Sequence, residues 1–252
     1  MRGIAARHGM DSGDHREDQG LPLGGRIGGM LKMQMTPFIH ASTNGSLMQI
    51  PDDRDTLIRA VSRVNLDMSG SLFRYYLATG DDDSPEKYLQ LYQDDKGQVA
   101  ELMYCTRLTR LIPETEEDQE AYMGEAGYGL GDKSYTLWRE QLAGLGFDDA
   151  DLKNVFDDGD SITYQRDAGD PQSEFVRPFS GTETRIDDVG GEHGLKQQVV
   201  FMPYARSLAG GTEFLLITTE IVLSQDGDSN KRGIHVDFMI GIPLEQDRVV
   251  IQ

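Results

Sequence analysis

Glu213-Phe-Leu-Leu-Ile-Thr-Thr-Glu-Ile-Val-Leu223 and Gly233-Ile-His-Val-Asp-Phe-Met-Ile-Gly-Ile-Pro-Leu244 hold the clearest strand signal in the chain. In the second stretch Ile234, Val236, Phe238, Ile240 and Ile242 alternate with His235, Asp237, Met239 and Gly241. That period of two predicts a strand with one face on a core and a polar face opposite, His235 and Asp237 forming a surface pair. The first stretch is continuously apolar and rich in β-branched residues, as in a strand buried on both faces. Ser224-Gln-Asp-Gly-Asp-Ser-Asn-Lys-Arg-Gly233 between them has turn chemistry, so the two predict a long β-hairpin at the centre of a sheet.

Composition excludes several classes of function. Asp and Glu number 43 against 24 Lys and Arg, a formal net charge of -19, and a field of that sign repels phosphate backbones. No nucleic-acid partner is expected. The apolar runs at 214–217 and 221–223 fall far short of the ~20 residues a helix needs to cross a bilayer, so no membrane span is expected. Residues 1–20 are crowded with charge and lack an apolar core, unlike a secretory signal, and are expected to be a disordered leader. The lone cysteine, Cys105, excludes an internal disulfide and any multi-cysteine metal site, and suits the reducing cytoplasm. Its apolar surroundings predict a buried thiol and not a nucleophile.

Outward from the hairpin, the stretches at 57–66, 72–77, 88–92 and 99–108 predict an antiparallel meander. Short strand-like pieces precede it at 38–39 and 47–50, and two glycine pairs, Gly24-Gly25 and Gly28-Gly29, mark tight bends. The middle changes character. Residues 113–123 begin with Pro113 and a run of acids, which suits a helix N-terminus, and residues 133–143 space Leu137, Trp138 and Leu142 for a helical face. Residues 148–159 form an acidic connector or a third short helix. Strands are expected again at 162–166, 174–179, 196–204 and 248–251.

Familiar motifs fail on detail. Gly127-Tyr-Gly-Leu-Gly-Asp-Lys-Ser134 resembles a phosphate loop, but Asp132 separates glycine from lysine where the loop needs them adjacent. Asp226, Asp228 and Asn230 begin like a calcium loop, yet Lys231 and Asp237 occupy the positions of the required glycine and glutamate. None of the five histidines stands in a paired metal spacing, and no serine lies in a Gly-x-Ser-x-Gly elbow. One recurrence remains. Tyr164-Gln-Arg166 and Tyr204-Ala-Arg206 repeat Tyr-x-Arg, and Arg74 with Tyr76 reverses it; on a strand each pair shares a face. Arginine forks with aromatic neighbours can grip carboxylate or phosphate, so these six residues form a candidate ligand site, with cross-strand packing as the structural alternative.

Several segments together resemble a bacterial family of uncharacterised proteins, the YjfK-like domain of unknown function. They are Leu21-Pro-Leu-Gly-Gly-Arg-Ile-Gly-Gly, Leu72-Phe-Arg-Tyr-Tyr-Leu, Tyr88-Leu-Gln-Leu, Thr163-Tyr-Gln-Arg166, Tyr204-Ala-Arg206, Glu213-Phe-Leu-Leu-Ile and Ile240-Gly-Ile-Pro-Leu244. The resemblance covers nearly everything after residue 20. It implies no established activity; family genes neighbour those for phage-shock-type coat proteins and ligases resembling glutathionylspermidine synthase, which implies an envelope or stress role.

These observations predict an α+β fold, predominantly antiparallel β-sheet with a helical insertion in the middle of the chain. After the leader, residues 21–252 form a single domain, with sub-lobes 21–112 and 156–252 joined by a helical segment at 113–155. The expected function is that of a cytoplasmic, non-catalytic binding or adaptor protein in an envelope or stress-response system, with a protein partner and with no cofactor, metal or catalytic residue. The alternative is a small-anion-binding domain or enzyme using the Arg and Tyr residues above.

Overall fold

The hairpin exists, and it forms part of a closed β-barrel. The computed structural model describes residues 16–51, 56–79, 85–222 and 233–252. Eight strands complete the circle: β2 (Thr56–Leu66), β3 (Ser71–Leu77), β4 (Lys87–Gln93), β5 (Val99–Leu111), β8 (Phe179–Ile186), β9 (Gly194–Leu208), β10 (Gly211–Val222) and β11 (Gly233–Pro243). Around the barrel they run β2-β3-β4-β5-β11-β10-β9-β8 and return to β2, every neighbour antiparallel. Closure removes the sheet edges that an open meander would leave. At the seam Leu66 pairs with Gly181, where a Cβ would overlap the Asn65 carbonyl, so only glycine lets β8 approach β2.

This architecture overturns the α+β expectation. The chain is mostly β. Among the described residues the α-helices are short: α1 (Thr36–Thr43), α2 (Glu116–Met123), α3 (Arg139–Gly144) and α4 (Asp149–Phe156). The middle of the chain is not a helical insertion, since it includes β6 (Ser134–Trp138), which pairs with β7 (Ser161–Arg166), and β7 joins the barrel at β9. The helical spacing of Leu137, Trp138 and Leu142 straddles this junction. Leu137 is buried on β6, Leu142 is buried on α3, and Trp138 between them is exposed. A separate small ladder joins β1 (Met30–Met33) to β12 (Val249–Ile251) and to the start of β2. The strand-like pair at 38–39 lies in α1, and 174–179 contributes only its last residue to β8.

Both faces of the barrel wall are buried, for different reasons. Outward, Phe73, Tyr104, Ile217, Phe238 and Ile240 belong to one large apolar cluster with Phe38 of α1, Leu137 of β6, Leu142 of α3 and Phe156 of α4. The ring of Phe238 meets Tyr122 at 6.1 Å and Tyr135 at 5.6 Å between centroids. Inward, Ala60, Tyr76, Tyr88, Cys105, Leu216 and Met239 form a second cluster. Arg74 on β3 identifies this face as the interior, because its Nη2 reaches Thr218 Oγ1 on β10, four strands away around the circle, at 3.3 Å.

The hairpin register, Ile217 opposite Phe238 and Glu220 opposite His235, is that of adjacent long strands. The polar face expected at the surface instead points into the barrel: Asp237 is 3% exposed. A period of two was read correctly as alternation, but both sides of the strand have somewhere dry to go. The link at 224–232, with its calcium-like aspartates, lies outside the described residues, as do residues 1–15 of the expected leader. Residues 16–20 of that leader lie against the fold. Asp18 is buried, its carboxylate accepting from Ile27 N at 2.7 Å and pairing with Arg16 at 2.8 Å. The barrel draws β2 to β5 from 21–112 and β8 to β11 from 156–252, so both of the proposed sub-lobes contribute to one closed sheet. Among the described residues no helix is long and apolar enough to cross a membrane.

Candidate functional site

The six Arg and Tyr residues singled out in the sequence fall into three places. Antiparallel pairing of β7 with β9 sets Gln165 opposite Ala205, and this crosses the two Tyr-x-Arg motifs. Tyr164 therefore lies with Arg206, and Arg166 stands opposite Tyr204. Arg74 and Tyr76 are elsewhere, inside the barrel. The three arginines do not meet.

Arg166 holds a loop. It donates to the carbonyls of Gly131 at 2.7 Å, Ala168 at 3.0 Å, Asp170 at 2.8 Å and Ser173 at 2.7 Å, while Tyr204 Oη accepts from Gly131 N at 2.9 Å. These bonds tie the glycine-rich stretch around Gly131 to the barrel wall. Arg206 holds a different carboxylate. Glu213, fully buried, accepts from Arg206 Nε at 2.6 Å, Tyr164 Oη at 2.6 Å, Leu47 N at 2.7 Å and the Ser46 hydroxyl. The Arg206 guanidinium lies 5.2 Å from the centroid of the Tyr164 ring and donates to Gly45 O at 2.6 Å. Burying a charge on this scale is affordable only with such a full set of partners.

The third cluster is the one with unspent chemistry. In the barrel interior Glu183 accepts from Ser62 Oγ at 2.5 Å, Tyr76 Oη at 2.7 Å, Gln197 Nε2 at 3.2 Å and Arg74 Nη1 at 3.1 Å. Arg74 also donates to Gln90 Oε1 at 3.2 Å and lies 5.1 Å from the centroid of the Tyr88 ring. Burial opposes the charge on Glu183, but Arg74 and the hydrogen bonds outweigh it and hold the carboxyl below its ordinary pKa. Burial likewise opposes the Arg74 charge, yet Tyr88, Glu183 and Tyr76 keep it firmly protonated. The Cys105 thiol nearby is pushed up to about 12 by burial, so it stays a thiol, as its apolar surroundings predicted.

Towards the end of the barrel where β5 finishes and β11 begins, Arg110 bridges two more acids. It grips Asp237 through Nε at 2.6 Å and Nη2 at 2.5 Å, and reaches Glu220 at 3.2 Å. Glu220 is raised to about 7, first by burial and then by the charges of Asp237 and Glu183, with Arg74 and Arg110 pulling the other way. Three buried polar atoms have no partner among the described residues: Tyr88 Oη, Gln197 Oε1 and His235 Nδ1. All three belong to side chains on the inward face, by the register of Tyr88 with Cys105, Gln197 with Glu183 and His235 with Glu220. No group of three or more metal-ligating side chains converges among the described residues.

A raised carboxyl pKa has a fixed sign in its effect on stability. The folded state binds the Glu220 proton more tightly than the unfolded chain, so the stabilisation is complete below the ordinary value of 4.5 and is lost as pH rises through about 7. Glu220→Gln, which cannot ionise, is therefore expected to gain stability over the natural protein on going from acid to mildly alkaline pH. A shift of this size corresponds to a gain on the order of 3 kcal/mol. Urea melts across pH measure it, and a constant difference would show that Glu220 titrates normally.

Glu183, Glu213, Glu220, Arg110 and Asp237 were not recognised as site residues from sequence. A faint signal exists for two of them, because Glu213 and Glu220 bracket the apolar run of β10. An acid at the end of a buried strand is either a boundary or a paired interior charge, and only the partner decides.

Neither the curated proteins nor the solved structures hold a match to this sequence. The sequence model of the family described as Protein of unknown function (DUF2491) matches residues 10–249, and so takes in every strand of the barrel and all three polar clusters. The chain belongs to that family.

Proposed function

We propose that this protein is a non-catalytic binding protein, an adaptor that receives a basic protein partner on its acidic flank. The observation that carries this reading is α2. Its residues Glu116, Glu117, Asp118 and Glu120 are exposed or nearly so, and the helix buries none of its side chains fully. It is nevertheless well anchored. Thr115 caps its first turn by accepting from Asp118 N at 3.1 Å, Gly124 ends it in the left-handed region, and the backbone oxygen of Tyr122 accepts from Thr219 Oγ1 at 2.7 Å. An array of carboxylates fixed on the barrel wall, in a chain of net charge -19, attracts and orients a positively charged surface.

Saturation of the arginines supports the same reading over small-anion binding. Arg166 gives all three of its nitrogens to carbonyls, and Arg206 gives the Nε and Nη2 edge of its fork to Glu213 and Gly45, which leaves neither of these edges open for a carboxylate or phosphate. The resemblance to bacterial YjfK-like proteins suggests an envelope or stress-response setting, and the single buried thiol suits the cytoplasm.

Affinity capture from the native host at low and high salt tests this. The natural protein is expected to retain a basic partner at low salt and to release it as salt rises, and Glu116→Lys with Glu117→Lys and Glu120→Lys is expected to weaken capture at least tenfold. Capture unaffected by the reversals would refute the docking surface. A thermal shift of the natural protein with phosphate or acetate that disappears in Arg206→Lys would favour the anion-binding alternative instead.

A further inference from the structure

The charges inside the barrel do not balance. Arg74 is matched by Glu183, Arg185 pairs with Glu86 and Asp187, and Arg110 is shared between Asp237 and Glu220, so Glu220 is a buried carboxyl on the inward face with no arginine to itself. A buried charge without its own counter-ion is costly, and the cheapest relief is a proton. We infer that Glu220 is a proton-operated latch at this end of the barrel, which draws Arg110 into a clamp between β10 and β11 when ionised and leaves it to Asp237 alone when protonated.

Geometry carries the inference. Arg110 on β5 contacts both carboxylates, at 2.5 Å for Asp237 and 3.2 Å for Glu220, so one guanidinium is within reach of both arms of the clamp. Groups from each neighbouring element bear on Glu220. Asp237 and His235 face it from β11, Arg110 from β5, Glu183 from β8 and Arg74 from β3, while its register partner on β9 is the apolar Val199. Glu86, just ahead of β4, adds a further negative charge near Arg110. Burial first, and then the two acids, push the Glu220 carboxyl up to about 7 against the pull of the two arginines, so small changes of pH near neutrality move the proton. Arg110 is the part of the cluster able to report outward, because its side chain is 36% exposed whereas those of Glu220 and Asp237 are almost covered.

Nuclear magnetic resonance on the full chain, labelled at glutamate and arginine, tests the latch from about pH 5.5 to about 8.5. The Glu220 carboxyl carbon is expected to titrate in one step near neutrality. With the same midpoint, the Nη2 protons of Arg110, which face Glu220, are expected to gain several-fold protection on the alkaline side relative to the base-catalysed exchange of a free guanidinium. Glu220→Gln should abolish the Arg110 step, and Ser180→Ala, on the outer face of β8 where its hydroxyl meets Asp67, should leave it intact. A Glu220 carboxyl that does not titrate in this range overturns the inference on the natural protein alone, whether or not the variants fold. An Arg110 step that persists in Glu220→Gln overturns it equally. Neither result bears on the acidic docking flank, which is read by partner capture.

Discussion

Replacing Phe238 by alanine is expected to lower the stability of the protein by ~3 to 5 kcal/mol, a large share of the ~5 to 15 kcal/mol that typically separates folded from unfolded chains. The ring is 2% exposed and lies on the outward face of β11, where the barrel wall meets the layer that covers it. Tyr122 and Tyr135 pack on it from two different elements, so its loss opens a cavity between layers that no single side chain can collapse to fill. His235, three residues earlier and on the inward face, is the control. It is only partly buried and its Nδ1 makes no hydrogen bond among the described residues, so His235→Ala is expected to cost less than ~1 kcal/mol. Urea melts of the two variants measure the contrast. Equal costs would mean that the outward cluster does not hold the covering layer to the barrel.

The second large effect is expected inside the barrel. Arg74→Met leaves Glu183 without its cation, and Glu183→Gln leaves Arg74 without its anion, in a place where each is at most 2% exposed. Breaking a buried pair from one side typically costs ~3 to 5 kcal/mol, because the remaining charge keeps its desolvation penalty and loses its compensation. The double variant removes both charges together. Its cost is expected to be smaller than the sum of the single ones by at least ~2 kcal/mol, since the two groups lie in one hydrogen-bonded network with Ser62, Tyr76 and Gln197. Additive costs would show that Arg74 and Glu183 act independently, whatever their separation. A double variant close to the natural protein in stability would show that the pair specifies the barrel interior without adding net stability.

Local signals were read well in most of the long strands, while the short pieces expected at 38–39, 47–50 and 174–178 are not strands. The period-two stretch at 234–242, the apolar run of β10, the meander at 57–108 and the strand at 162–166 all depend on the alternation of side chains along a single extended chain, and all are present. The burial of Cys105 in an apolar stretch was legible for the same reason. Where two elements meet within a few residues, periodicity misled: Leu137, Trp138 and Leu142 are spaced as if on one helix, but Leu137 and Leu142 belong to a strand and to the helix that follows it.

Partnership between distant segments was decided only in three dimensions. The return of β8 onto β2, through residues some 120 positions apart, closes the sheet, and with closure the polar side of β11 becomes an interior. Register between β7 and β9 then pairs Tyr164 with Arg206 instead of with Arg166, its neighbour along the chain. The pleat guarantees that residues two apart share a face, and it says nothing of what the face meets. By itself the sequence therefore determined most of the barrel strands, though not β8, together with their apolar faces and the acidic character of the chain. Which carboxylate each buried arginine neutralises, and why Glu220 has none of its own, depends on the circular order of the strands, because a charge is stabilised by what lies across from it in space.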